Sequence, residues 1–153
     1  MLTNKKRLLA TALVILTTAN YSIANDTVQA NTVKVSAAEG SLKLVMQGLL
    51  KDTQALTAAM LNEDFTLIAA KAKTIADHPK PSMATRMKIM ESMGSDMAKF
   101  KANDNIVHSA AVEIMTNAEQ KNIKGVGENF KKMIDGCLSC HNTFKSRVSE
   151  VLK

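Results

Sequence analysis

Both cysteines of the chain lie in one pentapeptide, Cys137-Leu138-Ser139-Cys140-His141. Two thiols and an imidazole this close together offer three kinds of chemistry. A Cys137–Cys140 disulfide with a thiol-redox role would want a thioredoxin-like βαβ setting, and no such pattern surrounds the motif. A structural zinc ion needs four ligands, whereas the only other histidines, His78 and His108, stand far off in sequence. Covalent attachment of haem needs nothing beyond the pentapeptide. Haem has two vinyl groups on one edge, and two cysteines separated by two residues can each form a thioether with one of them from a single turn. The following histidine then points at the iron from the same side. C-x-x-C-H is the string that marks c-type haem attachment. It predicts one covalent haem c on Cys137 and Cys140, with His141 as the proximal axial ligand of the iron.

The elements that must position this motif read as helices. Leu42, Val45, Met46, Leu49, Leu56 and Met60 trace one face of a first helix within 36–60. Asn62 is a fair N-cap for a second, with Phe65, Ile68, Ala69, Ala72, Ile75 and Ala76 on its inner face. His78-Pro79-Lys80-Pro81-Ser82 holds both prolines of the chain and must be a connection. Met83, Met87 and Met90 recur at helical spacing, and Gly94 then weakens the pattern. The expectation is a short helix over 83–93 and a loosely helical stretch over 96–101. Asn103 or Asp104 should cap the third main helix, which carries Ile106, Val107, Ala110, Ala111, Ile114, Met115 and Ala118. The fourth begins between Ile123 and Gly127 and runs through Phe130, Met133, Ile134, Cys137, Cys140, Phe144 and Val148 almost to the end. No period-two strand pattern extends beyond a few residues. Four amphipathic segments with mostly short connections predict an all-α, four-helix antiparallel bundle, with haem near the C-terminus between facing helices. The core must be aliphatic and Met-rich, because the chain has ten Met, four Phe, one Tyr and no Trp.

The N-terminus reads differently. Lys5, Lys6 and Arg7 precede the apolar run Leu8–Ala19, and Ser22-Ile23-Ala24 puts small residues where a signal peptidase cuts. The run has 12 residues, short of the ~20 that span a membrane. A signal peptide over 1–24, cleaved after Ala24 (or after Ala30), is therefore expected ahead of a loose arm over 25–35 and a bundle domain over 36–153. An uncleaved anchor fits less well, so no stable membrane insertion is expected, and export places the protein in the periplasm. Cleavage would leave 17 basic and 14 acidic residues, a net charge of +3. There is no basic stripe interleaved with aromatics, which argues against nucleic acid as a partner.

A helical, exported chain with C-x-x-C-H close to its C-terminus resembles the class II cytochromes c, the group of cytochrome c prime and its low-spin, Met-ligated relatives. The resemblance covers roughly residues 36–150. Its specific part is Cys137-Leu-Ser-Cys140-His141-Asn-Thr-Phe144-Lys145, similar to the family pattern of C-x-x-C-H, two residues, an aromatic and a basic residue, with Lys145 where Arg is frequent. The resemblance implies thioethers at Cys137 and Cys140 and a proximal bond from His141. It also implies a distal residue from the first helix, where Leu44-Val-Met46-Gln-Gly-Leu49-Leu50 looks like the corresponding piece and Met46 stands at the ligand position. An apolar side chain there leaves the iron five-coordinate; a Met closes the site and suits electron transfer. Met46 as a plain core residue, and Met60 as a rival ligand near the far end of the helix, remain open at this point. The basic residue the family often carries one turn before the distal position has no counterpart four residues back, where Leu42 stands, though Lys43 lies three back. The implied function is a periplasmic electron carrier that is not an enzyme, with unidentified redox partner proteins, possible steering by Lys131, Lys132, Lys145 and Arg147, and dimers through the first two helices. The alternative is a five-coordinate protein that binds NO or CO. A peroxidase-like site would want a distal polar acid–base group, and none stands close to Met46.

Overall fold

The computed structural model describes residues 41–153; the expected signal peptide, the arm over 25–35 and the first helix's expected start at Ser36 lie outside the described residues. Within them the chain forms α1 (Leu42–Leu61), α2 (Phe65–Ala76), α3 (Met83–Met93), a 3-10 turn at Gly94–Asp96, α4 (Met97–Glu119) and α5 (Ile123–Val151). No strand occurs among the described residues. The long helices α1, α2, α4 and α5 make the bundle; α3 is a short helix laid against it.

Two turns of one design join the hairpins α1/α2 and α4/α5. At the first, the Glu63 N–H donates to the Met60 carbonyl (3.2 Å) and the Asp64 N–H to that of Ala59 (3.0 Å). At the second, Lys121 donates to Ala118 (2.9 Å) and Asn122 to Asn117 (2.9 Å). These paired bonds are the Schellman ending, which needs a left-handed residue after the helix. Glu63 (φ 52°) and Lys121 (φ 54°) take that conformation. Each turn then leads straight into an N-cap: Asp64 accepts from the Leu67 N–H (3.0 Å) and Asn122 from the Gly125 N–H (3.1 Å). The expected cap at Asn62 is thereby corrected. Asn62 finishes α1, and Asp64 starts α2.

A second correction concerns 96–104. The stretch expected to be loose belongs to α4, which runs unbroken from Met97. Asn103 does not cap anything; its side-chain amide donates to the Lys99 carbonyl one turn back (3.1 Å), a bond available only inside the helix. The connection between α2 and α4 therefore shortens to 77–82 plus α3 and the 3-10 turn. Ser82 caps α3 by accepting from the Thr85 N–H (3.2 Å).

α1 packs on α2, α2 on α4 and α4 on α5, while α1 meets α5 only thinly and α3 lies against α5 and α4. The core is in two parts. One cluster holds Leu56, Ala59, Ile68, Ala72, Ile75, Ala110, Ala111, Ile114, Ala118, Val126 and Met133, from all four long helices. The other holds Ile89, Met93, Phe144 and Val148, with Leu42, Met97, Phe100 and Cys140 packed against it. On α5 the break between the clusters falls between Met133 and Phe144, which is where the pentapeptide stands.

Candidate functional site

Cys137 and Cys140 sit in the middle of α5, both half-buried and unpaired, and His141 beside them is exposed. The close approach of α4 fixes this stretch. A Cβ built on Gly136 would stand 3.0 Å from Ile106 Cγ2 and 3.1 Å from Val107 Cγ2, so only glycine lets the two helices meet without displacement one residue before Cys137. Further along, Phe144 is fully buried and meets Phe100 of α4 edge-on, centroids 5.5 Å apart. Arg147 lies over the Phe144 ring and bonds Asp96 at 3.0 Å. Gly136 and Phe144 thus hold α5 against α4 on either side of the motif.

Helical geometry then sets which way each residue faces. At 3.6 residues per turn, Gly125 and Gly136 fall on the flank of α5 that α4 touches. His141 falls on the opposite flank of the buried stripe Met133–Cys140–Phe144. On α1, Asp52 bonds Lys71 of α2 at 2.9 Å, which identifies the flank facing α2. Met46 lies on the other flank of the stripe Val45–Leu49–Leu56. Met46 and His141 are therefore on the flanks of α1 and α5 opposite those that face α2 and α4; α1 and α5 themselves meet only along a thin seam. Met46 is 38 % exposed, whereas its neighbour Val45 is buried. Met60 packs instead against the larger core cluster, well away from the motif.

The thiol electrostatics argue against redox chemistry at Cys137 and Cys140. Burial pushes the Cys137 thiol above its usual value. Burial does the same to Cys140, reinforced by the Asp104 carboxylate and by Cys137. Dithiol redox motifs work the other way, with lowered values that the start of a helix helps to produce; this pair is mid-helix. Zinc fares no better, since no group of three or more His, Cys, Asp or Glu side chains converges among the described residues. His78 and His108 are both anchored at the end of α2, where His78 Nδ1–H donates to the Ile75 carbonyl (3.0 Å) and His108 Nδ1–H to that of Ala76 (3.1 Å). Two half-buried thiols one turn apart, an imidazole next to them and a break in the apolar core do fit the donor set of a c-type haem.

Sequence reasoning took Asp104 only as a candidate helix cap and did not single out Gly136. Nothing in one sequence marks Asp104 as a neighbour of Cys140. Gly136 carried a signal, a small residue directly before Cys137 on an apolar helix face. Of the four basic residues expected to steer a partner, two are paired with carboxylates and two are not. Lys131 pairs with Asp135 (2.7 Å) and Arg147 with Asp96, whereas Lys132 donates only to the neutral Asn129 Oδ1 (3.2 Å), leaving Lys132 and Lys145 without an ion pair among the described residues. The two clefts found, of about 290 and 300 Å³, lie between α4 and α5 around Asn103 and Thr143, and between α3 and α5 around Ser92 and Val151. Neither is lined by the cysteines, His141 or Met46.

Among described families, the model for cytochrome c′ matches residues 24–145. No curated protein and no solved structure matches the chain significantly.

Proposed function

The chain belongs to the cytochrome c′ family, and from that premise we propose that it is a single-electron carrier of the periplasm, with one haem c joined to Cys137 and Cys140 and with His141 and Met46 as axial ligands. When bound, the haem supplies an iron that cycles between its ferric and ferrous states. The chain's residues set the conditions. Two thioethers make the attachment permanent, so the cofactor is not lost between partners. The thioether at neighbouring Cys140 and the packing of Phe144 one turn on would orient His141. Met46 offers a soft, neutral thioether, the kind of second ligand that raises a haem's potential. Val45 and Leu49, beside Met46 on the same helix, keep the distal side apolar and give a peroxidase no acid–base group. The four-helix frame limits ligand movement between oxidation states, which favours fast electron transfer. Partners would be other redox proteins. No described helix is long and apolar enough to cross a membrane, and the N-terminal signal pattern supports export.

The observation that carries this reading is the position of C-x-x-C-H in mid-helix, at the break between two core clusters. One observation favours a second reading: Met46 is partly exposed and not packed into either cluster, so it could stay off the iron in a five-coordinate protein that binds NO or CO. Absorption spectra of the mature protein, oxidised, reduced and reduced under CO, separate the two. Sharp reduced bands unmoved by CO support the carrier. Broad high-spin bands with a rapid CO shift transfer the proposal to gas binding. A colourless protein with two free thiols rejects both.

A further inference from the structure

α3 carries a set of donors that the electron carrier does not use. Met83, Met87 and Met90 are spaced i, i+4 and i+7, which places them on one stripe of the helix with neighbouring Cβ atoms ~5–6 Å apart. The stripe is not core. α3 buries Ile89 and Met93 on another face, while Met83, Met87 and Met90 are 65 %, 57 % and 48 % exposed. Three large apolar side chains held in water on one face of an 11-residue helix call for a reason. Their sulfurs supply one. Each Met has three rotatable bonds and a polarizable thioether, so three sulfurs at this spacing can converge on a single ion. The Met83 sulfur already acts as an acceptor, taking a bond from Arg86 Nη2 at 3.7 Å. Exposed Glu91 stands one turn beyond Met87 on the same helix. No His or Cys lies within 82–96, so the stripe offers no nitrogen or thiolate to attract zinc. A purely thioether set is soft and selects Cu(I) over harder divalent ions.

We propose that Met83, Met87 and Met90 form a surface site for Cu(I), each giving its thioether sulfur to one ion, with Arg86 released from Met83 as the ion binds. No electron moves in this step; the ion arrives and remains as Cu(I). The residues are separate from the haem ligands, so failure of this site leaves the electron-carrier reading untouched.

The test is anaerobic dialysis of the holo-protein against Cu(I) held reduced by ascorbate and buffered by a competing chelator, followed by a metal count per chain. The comparison is a triple variant, Met83→Leu, Met87→Leu and Met90→Leu, which keeps volume and helix propensity and is checked for unchanged helicity and haem spectrum. The expected result is one copper per chain more in the natural protein than in the triple variant. Met87→Leu alone, at the centre of the stripe, should weaken retention by roughly 10–100-fold, the loss that even supporting groups around a metal cause. Equal copper in the natural protein and the triple variant overturns the proposal. So does no retained copper in either, or copper that leaves only when His78 and His108 are replaced.

Discussion

Met46 is the residue on which the two functional readings divide, and its surroundings make it a clean probe. It is 38 % exposed and belongs to neither core cluster, so Met46→Leu removes a sulfur without opening a cavity. A volume-conserving apolar exchange of this kind costs under about 1.5 kcal/mol. If Met46 is a ligand, the variant turns high-spin and gains CO binding in the reduced state. Its potential falls on the order of 100 mV, a modest part of the ~0.8 V range that axial ligands cover. An unchanged spectrum and potential would remove Met46 from the iron. A second residue-scale outcome follows from Asp96. The Arg147 guanidinium bonded to it holds its carboxyl below the ordinary value of 3.8. A carboxyl depressed in the folded state adds stability that is complete above its unfolded value and is lost as pH falls through the lowered one. Acid unfolding should therefore show the natural protein more stable than Asp96→Asn at neutral pH, with the difference closing as pH drops below the carboxylate range. A difference that is constant with pH would mean the pair acts only through packing.

At the scale of the helices, the contact between α4 and α5 decides how the haem motif is presented. Gly136 stands where a Cβ would come within 3.0 Å of Ile106 and 3.1 Å of Val107. Gly136→Val overpacks this crossing and should cost about 1–3 kcal/mol in denaturant unfolding, with poorer haem incorporation at the adjacent Cys137. Ile106 is 48 % exposed, so adding Ile106→Ala clears the space at little cost and should restore stability. Absence of rescue would place the strain elsewhere. The same helices show what a sequence does and does not disclose. Apolar spacing located every long helix, because burial of one face is what makes these segments helical. It missed where α2 and α4 begin. Asn62 and Asp64 are both capping residues two positions apart, and only the Schellman turn through Glu63 decides between them. That turn uses Glu and, in its twin, Lys121, where glycine would have advertised it. Asn103 and Asp104 resemble a cap yet lie inside α4, because the helix is held on both sides of them by Phe100 packing on Phe144 and by the α5 contact at Ile106 and Val107. The pentapeptide was legible because its chemistry needs adjacent residues. The thin seam between α1 and α5 was not, since it arises from contacts between helices far apart in sequence.

In the whole molecule, the division of the core would give a haem on α5 a structural role of its own. The larger cluster joins all four long helices and rests on full burial of Leu56, Ile68, Ile114 and Met133. The smaller cluster ties α3, the start of α1 and the end of α5 together through only four buried side chains. Between them α5 carries half-buried Cys137 and Cys140, α4 buries nothing between Phe100 and Ala110, and α1 meets α5 thinly. Without the cofactor, the smaller cluster is attached to the larger mainly by continuity of α4 and α5. Stability in such a chain is not uniform, and the less buried unit opens at lower free energy. A haem anchored on α5 and reached by Met46 from α1 would join the two ends of the seam. The Cys137→Ala, Cys140→Ala chain, which cannot form the thioethers, should therefore keep its helices. It should lose amide hydrogen-exchange protection in α3, in the first turns of α1 and in α5 beyond His141, while Ile68, Ile114 and Met133 stay protected close to the global limit. Protection lost evenly across both clusters would show that the bundle unfolds as one unit and that the haem stabilises all of it alike. Protection unchanged in both would show that helix packing alone closes the seam, with the cofactor serving only its iron.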